Sequence, residues 1–461
     1  MQEQKIKILF MSDWCDTGFG TVSKEICARL ADMEVFEVHV IGWHSQPANI
    51  PEAAANKIQL HTTQFWNAAD QFGLHTYSAY VEKIRPQVVI TLGDPWMVDH
   101  VSNDPLREDY TWIAYMPIDR DVISRSWRRM MKKPDVLVLY SEFGRQIVNE
   151  SIPFRNARVI LHGVDRMVFK PWYPEGTDED TPHDELMEKR KEMTLGSNFS
   201  GNPFIVGWVG RNQVRKAMPR TIRAFKAFNC ATWTDRQRVD VRGDDGEIEK
   251  SYTAEEFCRT KQCFRCDICP AFQQREETLN SRIYLHTTRG NTDDGQDRPG
   301  IGWLVDELAE RHKLHGRVGM TPGLRAIKGL PRAALAQIMN CFDVHLFLSH
   351  SEGFGLPIAE SLACGVPTLV TDYSSMPELV EQGGGVKIRP IDFYTFTTYE
   401  NELANADIGD AADEVNRIFE DQQYAVEMRR AAAANKYVPD WNQVAMQFRD
   451  LIMEAVGMKG L

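Results

Sequence analysis

The sequence predicts an α/β protein made of two open parallel-sheet units in tandem. Three observations carry that expectation. Strand-length apolar runs alternate with amphipathic helical stretches, from KIKILFMS (5–12) to GGVKIRP (384–390). That alternation implies parallel sheets covered on both faces. It breaks at 172–203, which is polar, acidic and then glycine-rich, as a connection between two units would be. The 461 residues also exceed what one ordinary core holds.

Taken in order, KIKILFMS reads as the first strand, DTGFG (16–20) as a turn, and TVSKEICARLADM (21–33) as a helix with apolar residues at helical spacing. FEVHVIGW (36–43), QVVITLGD (87–94), TWIAYMPI (111–118), DVLVLYS (135–141) and ARVILHGV (157–164) continue the first set. One short helix is expected inside 172–203. The second set runs through FIVGWVGR (204–211), SRIYLHTT (281–288), DVHLFLS (343–349), VPTLVTD (366–372) and GGVKIRP. Residues 409–434 and WNQVAMQFRDLIMEAVG (441–457) have helical spacing. Ligands of such sheets sit beyond the carboxyl ends of the strands, so the chemistry belongs in the loops that follow them.

Composition narrows the class. Apolar content of 43% and charged content of 26% are those of a globular protein. A net charge of -12 argues against a general phosphate-backbone binder, though not against a local basic surface. No run approaches the ~20 apolar residues of a membrane helix, and MQEQKIKILFMSDW lacks a signal-peptide layout. A soluble, cytoplasmic protein is expected, with Cys27, Cys341 and Cys364 as reduced core thiols.

Three stretches carry chemistry. SEGFGLPIAE (351–360) follows a strand and opens a helix, with Pro357 suited to the first turn. Exposed amides and a helix N-terminus there favour phosphate or polyol oxygens, and Glu352 and Glu360 can accept from hydroxyls. A packed helix start with incidental acids fits the same layout. GRNQVRK (210–216) places Arg211 and Lys216 after a strand end, where together they can neutralise a diphosphate. A solvated basic helix start is the plainer alternative. Gly18 and Gly20 let the backbone approach a ligand closely, or simply make a tight turn.

As a set these stretches resemble the retaining, GT-B-fold glycosyltransferases of family 4, also called glycosyl transferase group 1. EGFGLPIAE matches the family's two-glutamate motif, GVPTLVTDYSSMPELV (365–380) the stretch after it, and GRNQVRK the donor-diphosphate positions. LYSEFGRQIV (139–148) and LHGVDRMVFKP (161–171) match further segments, with His162 where the family usually has Asn. The resemblance implies two Rossmann-like domains facing a cleft: 1–171 for the acceptor, 172–203 as linker, 204–438 for the donor, and 439–461 as a helix crossing back. It implies that Glu360 binds the ribose, that Glu352 with the amides of Phe354, Gly355 and Leu356 holds the sugar, and that Arg211 and Lys216 stabilise the departing diphosphate. It places Gly18 and Gly20 at the phosphates and Met320 to Gly323 at the base. The donor would be a UDP- or GDP-linked sugar, transferred with retention and without a catalytic metal. The family's usual histidine is replaced in MPIDRD (116–121), where Asp119 either takes a polar role near the acceptor or caps a turn.

Two features lie outside the family pattern. An insertion at about 230–280 contains EEFCRTKQCFRCDICPAF, with Cys258, Cys263, Cys266 and Cys269 clustered. A structural Zn²⁺ is the favoured expectation, beside an iron–sulfur cluster or free thiols. DRDVISRSWRRMMKKPD (119–135) gathers Arg120, Arg125, Arg128, Arg129, Lys132 and Lys133. It is either a solvated helix face or a guide for an anionic acceptor. Acceptors left open are a glycan, a lipid carrier, a small molecule or a hydroxylated base in DNA. The alternative function is an inactive nucleotide-sugar-binding protein acting through its insertion, and a phosphorylase is a third.

Overall fold

The structure is a computed structural model. It describes residues 5–45, 49–63, 70–153, 156–196, 199–242, 247–260, 269, 271–288, 302–324, 329–396 and 401–458. Seven parallel strands form the first sheet: β1 (Ile6–Asp13), β2 (Phe36–Trp43), β3 (Gln59–Thr62), β4 (Val88–Leu92), β5 (Thr111–Met116), β6 (Val136–Leu139) and β7 (Arg158–Val159). Their order is β3-β2-β1-β4-β5-β6-β7. The doubled-back order puts a switch point between β1 and β4, where such sheets open a crevice.

The second sheet has six parallel strands. These are β8 (Ile205–Val209), β11 (Arg282–His286), β12 (Val318–Met320), β13 (Val344–Phe347), β14 (Thr368–Thr371) and β15 (Gly385–Ile388), in the order β12-β11-β8-β13-β14-β15. Two antiparallel hairpins complete the set: β9 (Arg238–Arg242) with β10 (Ile248–Thr253), and β16 (Pro390–Phe396) with β17 (Asn401–Ala406). The central strands are buried on both faces, which is why they read as unbroken apolar runs.

Every strand expected from the sequence is present. ARVILHGV contributes only the two residues of β7 before the chain turns toward the second sheet. The unforeseen strands are the short edge strands β3 and β12 and the two hairpins, whose residues alternate weakly or are exposed. Residues 409–434 form two helices, Ile408–Glu420 and Gln422–Ala434, divided at Asp421, whose side chain caps the second.

The connecting stretch is anchored, not loose. Its helix, His183–Leu195, buries Lys191, whose ammonium donates to Asp343 (2.7 Å), to the Asn202 side chain (2.8 Å) and to the Pro203 carbonyl (2.8 Å). The terminal helix Trp441–Met458 packs on helix Gly18–Asp32 and on β4 and β5, so the chain ends against its first sheet. Trp441 is fully buried, and a Cβ on Gly163 would lie 2.7 Å from its ring, so only glycine fits where the two segments cross.

Candidate active site

The carboxyl ends of β8 and β13 build the centre of the site. After β8 a short turn over Val214–Lys216 ends at Ala217, held in the left-handed region at φ 49°. The His350 amide and the Ser349 hydroxyl both donate to the Arg215 carbonyl, tying this turn to the end of β13. Lys216 Nζ then reaches both oxygens of Glu352 at 2.7 Å. Arg215 Nη1 lies 3.1 Å from Glu352 Oε2 and donates to the Ser351 carbonyl at 2.5 Å.

Glu352 is only 4% exposed. Burial would raise its pKa, but the Lys216 ammonium and then the Arg215 guanidinium outweigh burial and hold the carboxyl down at about 2. Its backbone is fixed as firmly. The Glu352 amide donates to Ser374 Oγ (3.0 Å), and the Ser375 hydroxyl donates to the Glu352 and Phe354 carbonyls (2.8 and 3.0 Å). The TDYSSMPEL stretch is therefore the brace of the acidic turn.

Gly355 caps helix Leu356–Ala363 at φ 106°, a conformation that favours glycine. Glu360, one turn in, is 3% exposed, with Arg332 Nη2 2.8 Å from its Oε1. Burial raises its pKa, and the Arg332 guanidinium does not compensate fully. A buried carboxylate that accepts from one guanidinium keeps lone pairs that suit a ligand hydroxyl.

The first sheet supplies the opposite wall. Thr17 Oγ1 donates to Asp13 (2.8 Å) and accepts from the Gly20 amide (3.1 Å), so the glycine turn is a capped helix start. A Cβ on Gly20 would fall 1.8 Å from the Cys15 carbonyl, while one on Gly18 would meet nothing. The walls approach each other closely at Gly329 and at Gly353. The Gly329 amide donates to Asp16 Oδ2 at 3.2 Å, and a Cβ on Gly353 would sit 2.9 Å from Pro117. Asp119 lies between Arg120 (3.1 Å) and Arg215 Nε (4.0 Å). Arg211 is exposed and stands toward Cys15.

His162 replaces the expected Asn for a packing reason. It is buried among Tyr115, Tyr140, Phe354 and Trp441, with Nδ1 2.7 Å from the Tyr115 hydroxyl. Burial drops its pKa to about 3, so the ring is neutral and links the acidic turn to the first sheet.

Residues 305–436 match the family model of Glycosyl transferases group 1. Over that span the chain is similar to the glycosyl transferase group 1 family. The matched span contains the Glu352–Glu360 turn and the Ser374–Ser375 brace. The D-inositol 3-phosphate glycosyltransferase of Thermobifida fusca is 30% identical over 106 residues, 23% of this chain and 22% of that protein. The O-antigen chain mannosyltransferase B of Escherichia coli is 32% identical over 83 residues, 18% of this chain and 21% of that protein. The fold likeness is wider. Sucrose-phosphate synthase from Thermosynechococcus elongatus superposes with a TM-score of 0.67 at 14% identity, over 98% of this chain and 99% of that one. Anabaena HepE in complex with UDP and glucose gives 0.63 at 16% identity, over 97% and 100%. Identities this low speak for the two-sheet GT-B fold alone.

Of the residues expected from the group 1 pattern, the structure brings together Lys216, Glu352 and, at 4.0 Å through Arg215, Asp119. Arg215 itself was missed, because beside Lys216 it reads as one more basic residue. Asp94 was missed too. It follows β4 and precedes Pro95, and burial, then Asp119, raise its pKa to about 6 against Arg120 and Arg215. Met320 to Gly323 ends edge strand β12, with Thr321 Oγ1 2.8 Å from His286 Nδ1. Cys258 and Cys269 line one small apolar cavity with Trp233, while Cys263 and Cys266 lie outside the described residues.

One further cluster among the described residues combines metal-ligand types: Asp13, Cys15 and His44, with ligand atoms within 4.8 Å of one another. Both Asp13 oxygens are already engaged, Oδ1 by His44 (2.6 Å) and Oδ2 by Thr17. Burial, then Asp13, push the Cys15 thiol up to about 12. The cluster holds the glycine turn by hydrogen bonds.

Proposed function

We propose that the chain is a retaining glycosyltransferase that moves a sugar from a UDP- or GDP-linked donor to a hydroxyl acceptor. One observation carries this reading: a buried carboxylate, Glu352, is clasped by Lys216 and Arg215 at the carboxyl ends of β8 and β13, beside a helix N-terminus. That is a constellation for a polyol next to a diphosphate. The sucrose-phosphate synthase and the UDP- and glucose-bound HepE on the same fold support it by analogy.

In this reading Glu360 accepts from the ribose hydroxyls, and Glu352 with the amides of Phe354 to Leu356 holds the sugar. Lys216 and Arg211 neutralise the diphosphate as the sugar's C1–oxygen bond breaks. The acceptor oxygen bonds to C1 on the same face, and its proton passes to the departing phosphate oxygen. Asp119 and Asp94 stand on the acceptor side. The same reading assigns 1–171 to the acceptor, 204–438 to the donor and 439–461 to the returning helix. A Zn²⁺ on Cys258, Cys263, Cys266 and Cys269 would staple the insertion, and elemental analysis of purified protein showing less than stoichiometric metal would remove it.

A donor screen by thermal shift, followed by product mass and anomeric NMR with candidate acceptors, tests the reading. Expected is one stabilising donor and an α-linked product from an α-linked donor. Donor binding without turnover on any acceptor would leave a binding protein, and an inverted product would overturn the retaining assignment.

A further inference from the structure

The basic run takes up two jobs in the structure. Arg120 stacks on Trp127 at 4.1 Å and bonds Asp119, and Lys133 pairs with Asp99 at 2.8 Å. Arg125, Arg128, Arg129 and Lys132 are exposed on helix Arg125–Met130 and the turn after it, and form no ion pair among the described residues. Four unneutralised cations within eight residues stand out on a chain of net charge -12. Spacings of three and four residues bring such side chains to one face.

Aromatic surface flanks them. Trp96 is 50% exposed, on the turn Pro95–Val98 that packs against this helix. On the facing wall Phe393, 47% exposed on β16, packs edge-on against Tyr373 with ring centroids 5.4 Å apart. Tyr373 in turn lies beside Asp121, four residues before Arg125. The loop carrying Asp119 and Asp121 thus leads into the basic helix, touches Tyr373 and through it Phe393, and reaches Arg215 and Glu352, which places these groups on the mouth side of the cleft.

We propose that this mouth is a docking surface for single-stranded nucleic acid, which carries the acceptor hydroxyl. Phosphodiesters meet Arg125, Arg128, Arg129 and Lys132, and unstacked bases lie against Trp96 and Phe393. Guanidinium groups suit phosphate oxygens, and combined cationic and aromatic surface is how single strands are held. A duplex has no free base faces to offer those rings. An anionic membrane fits less well, because the apolar face of this helix, Trp127 with Met131, is already buried in the protein core. The acceptor role rests on the glycosyltransferase reading, but the docking itself does not.

The test is fluorescence anisotropy of the full chain with a labelled 20-nucleotide single strand, with the same sequence as duplex, and with phosphatidylserine vesicles as a separate arm. Expected is binding to the single strand in preference to the duplex, with log affinity falling against log salt at a slope of about -3. The R125A/R128A/R129A/K132A variant should lose at least tenfold in affinity and most of that slope, and Phe393→Ala about tenfold. Its melting temperature and its thermal shift with UDP and GDP should match wild type, which separates docking from donor binding. No binding at low salt, equal affinity in the quadruple variant, or a preference for vesicles would overturn the proposal. Failure of both nucleotides to shift wild type would instead strike the donor reading.

Discussion

Lys216 Nζ lies 2.7 Å from both carboxylate oxygens of Glu352, in a buried cleft between two parallel sheets. The two charges enforce each other. Removing one leaves the other desolvated without its main partner, which typically costs about 3–5 kcal/mol. Lys216→Ala should therefore lower stability, measured by chemical denaturation, and Lys216→Ala/Glu352→Ala should recover part of the loss. A purely additive double variant would mean that the pair is not coupled.

The same lysine separates binding from turnover. If it neutralises the departing diphosphate, Lys216→Ala should cut kcat by about 10²–10³-fold. Donor affinity, read by titration calorimetry, should change much less. An equal loss in both would make it a binding residue only.

Glu360 sets stability against function. Its pKa is raised by burial, so keeping it ionised opposes folding above that pKa, and the stability it lends at low pH is lost as pH rises. Glu360→Gln should raise the melting temperature of the free protein at pH 7 and weaken UDP or GDP binding at least tenfold. A destabilised variant with unchanged nucleotide affinity would contradict both halves.

Glu352 titrates in the opposite sense. Its pKa is held at about 2, below the ordinary 4.5, so it adds stability above 4.5 that fades as pH falls toward 2. Denaturation midpoints measured from pH 5 down to 2.5 should fall less steeply in Glu352→Gln than in wild type.

Gly20 and Gly353 are places where a single methyl group decides the geometry. Gly20→Ala would drive a Cβ into the Cys15 carbonyl, and Gly353→Ala would drive one into Pro117. Gly353→Ala should reduce activity while leaving secondary structure intact by circular dichroism, because it pushes one wall of the cleft from the other. Gly18→Ala, with open space around it, should be nearly silent.

The sheets were legible because buried parallel strands are continuous apolar runs, as in VVITL and TLVT. The edge strand over Gln59–Thr62 and the exposed hairpins were not, since half-exposed strands lose that signature. The acidic turn was legible as a strand, glycines and a helix start. Its braces were not. Ser374, Ser375, Arg215 and Asp94 reach it from other loops, and spacing in one segment says nothing about loops that only the fold brings together.

Titration calorimetry of UDP and GDP against wild type and Glu360→Ala tests the central assignment most directly. One nucleotide should bind wild type at a single site, and the variant should bind it at least tenfold more weakly. If neither nucleotide binds wild type, or if Glu360→Ala binds as tightly, the cleft is not a nucleotide-sugar site.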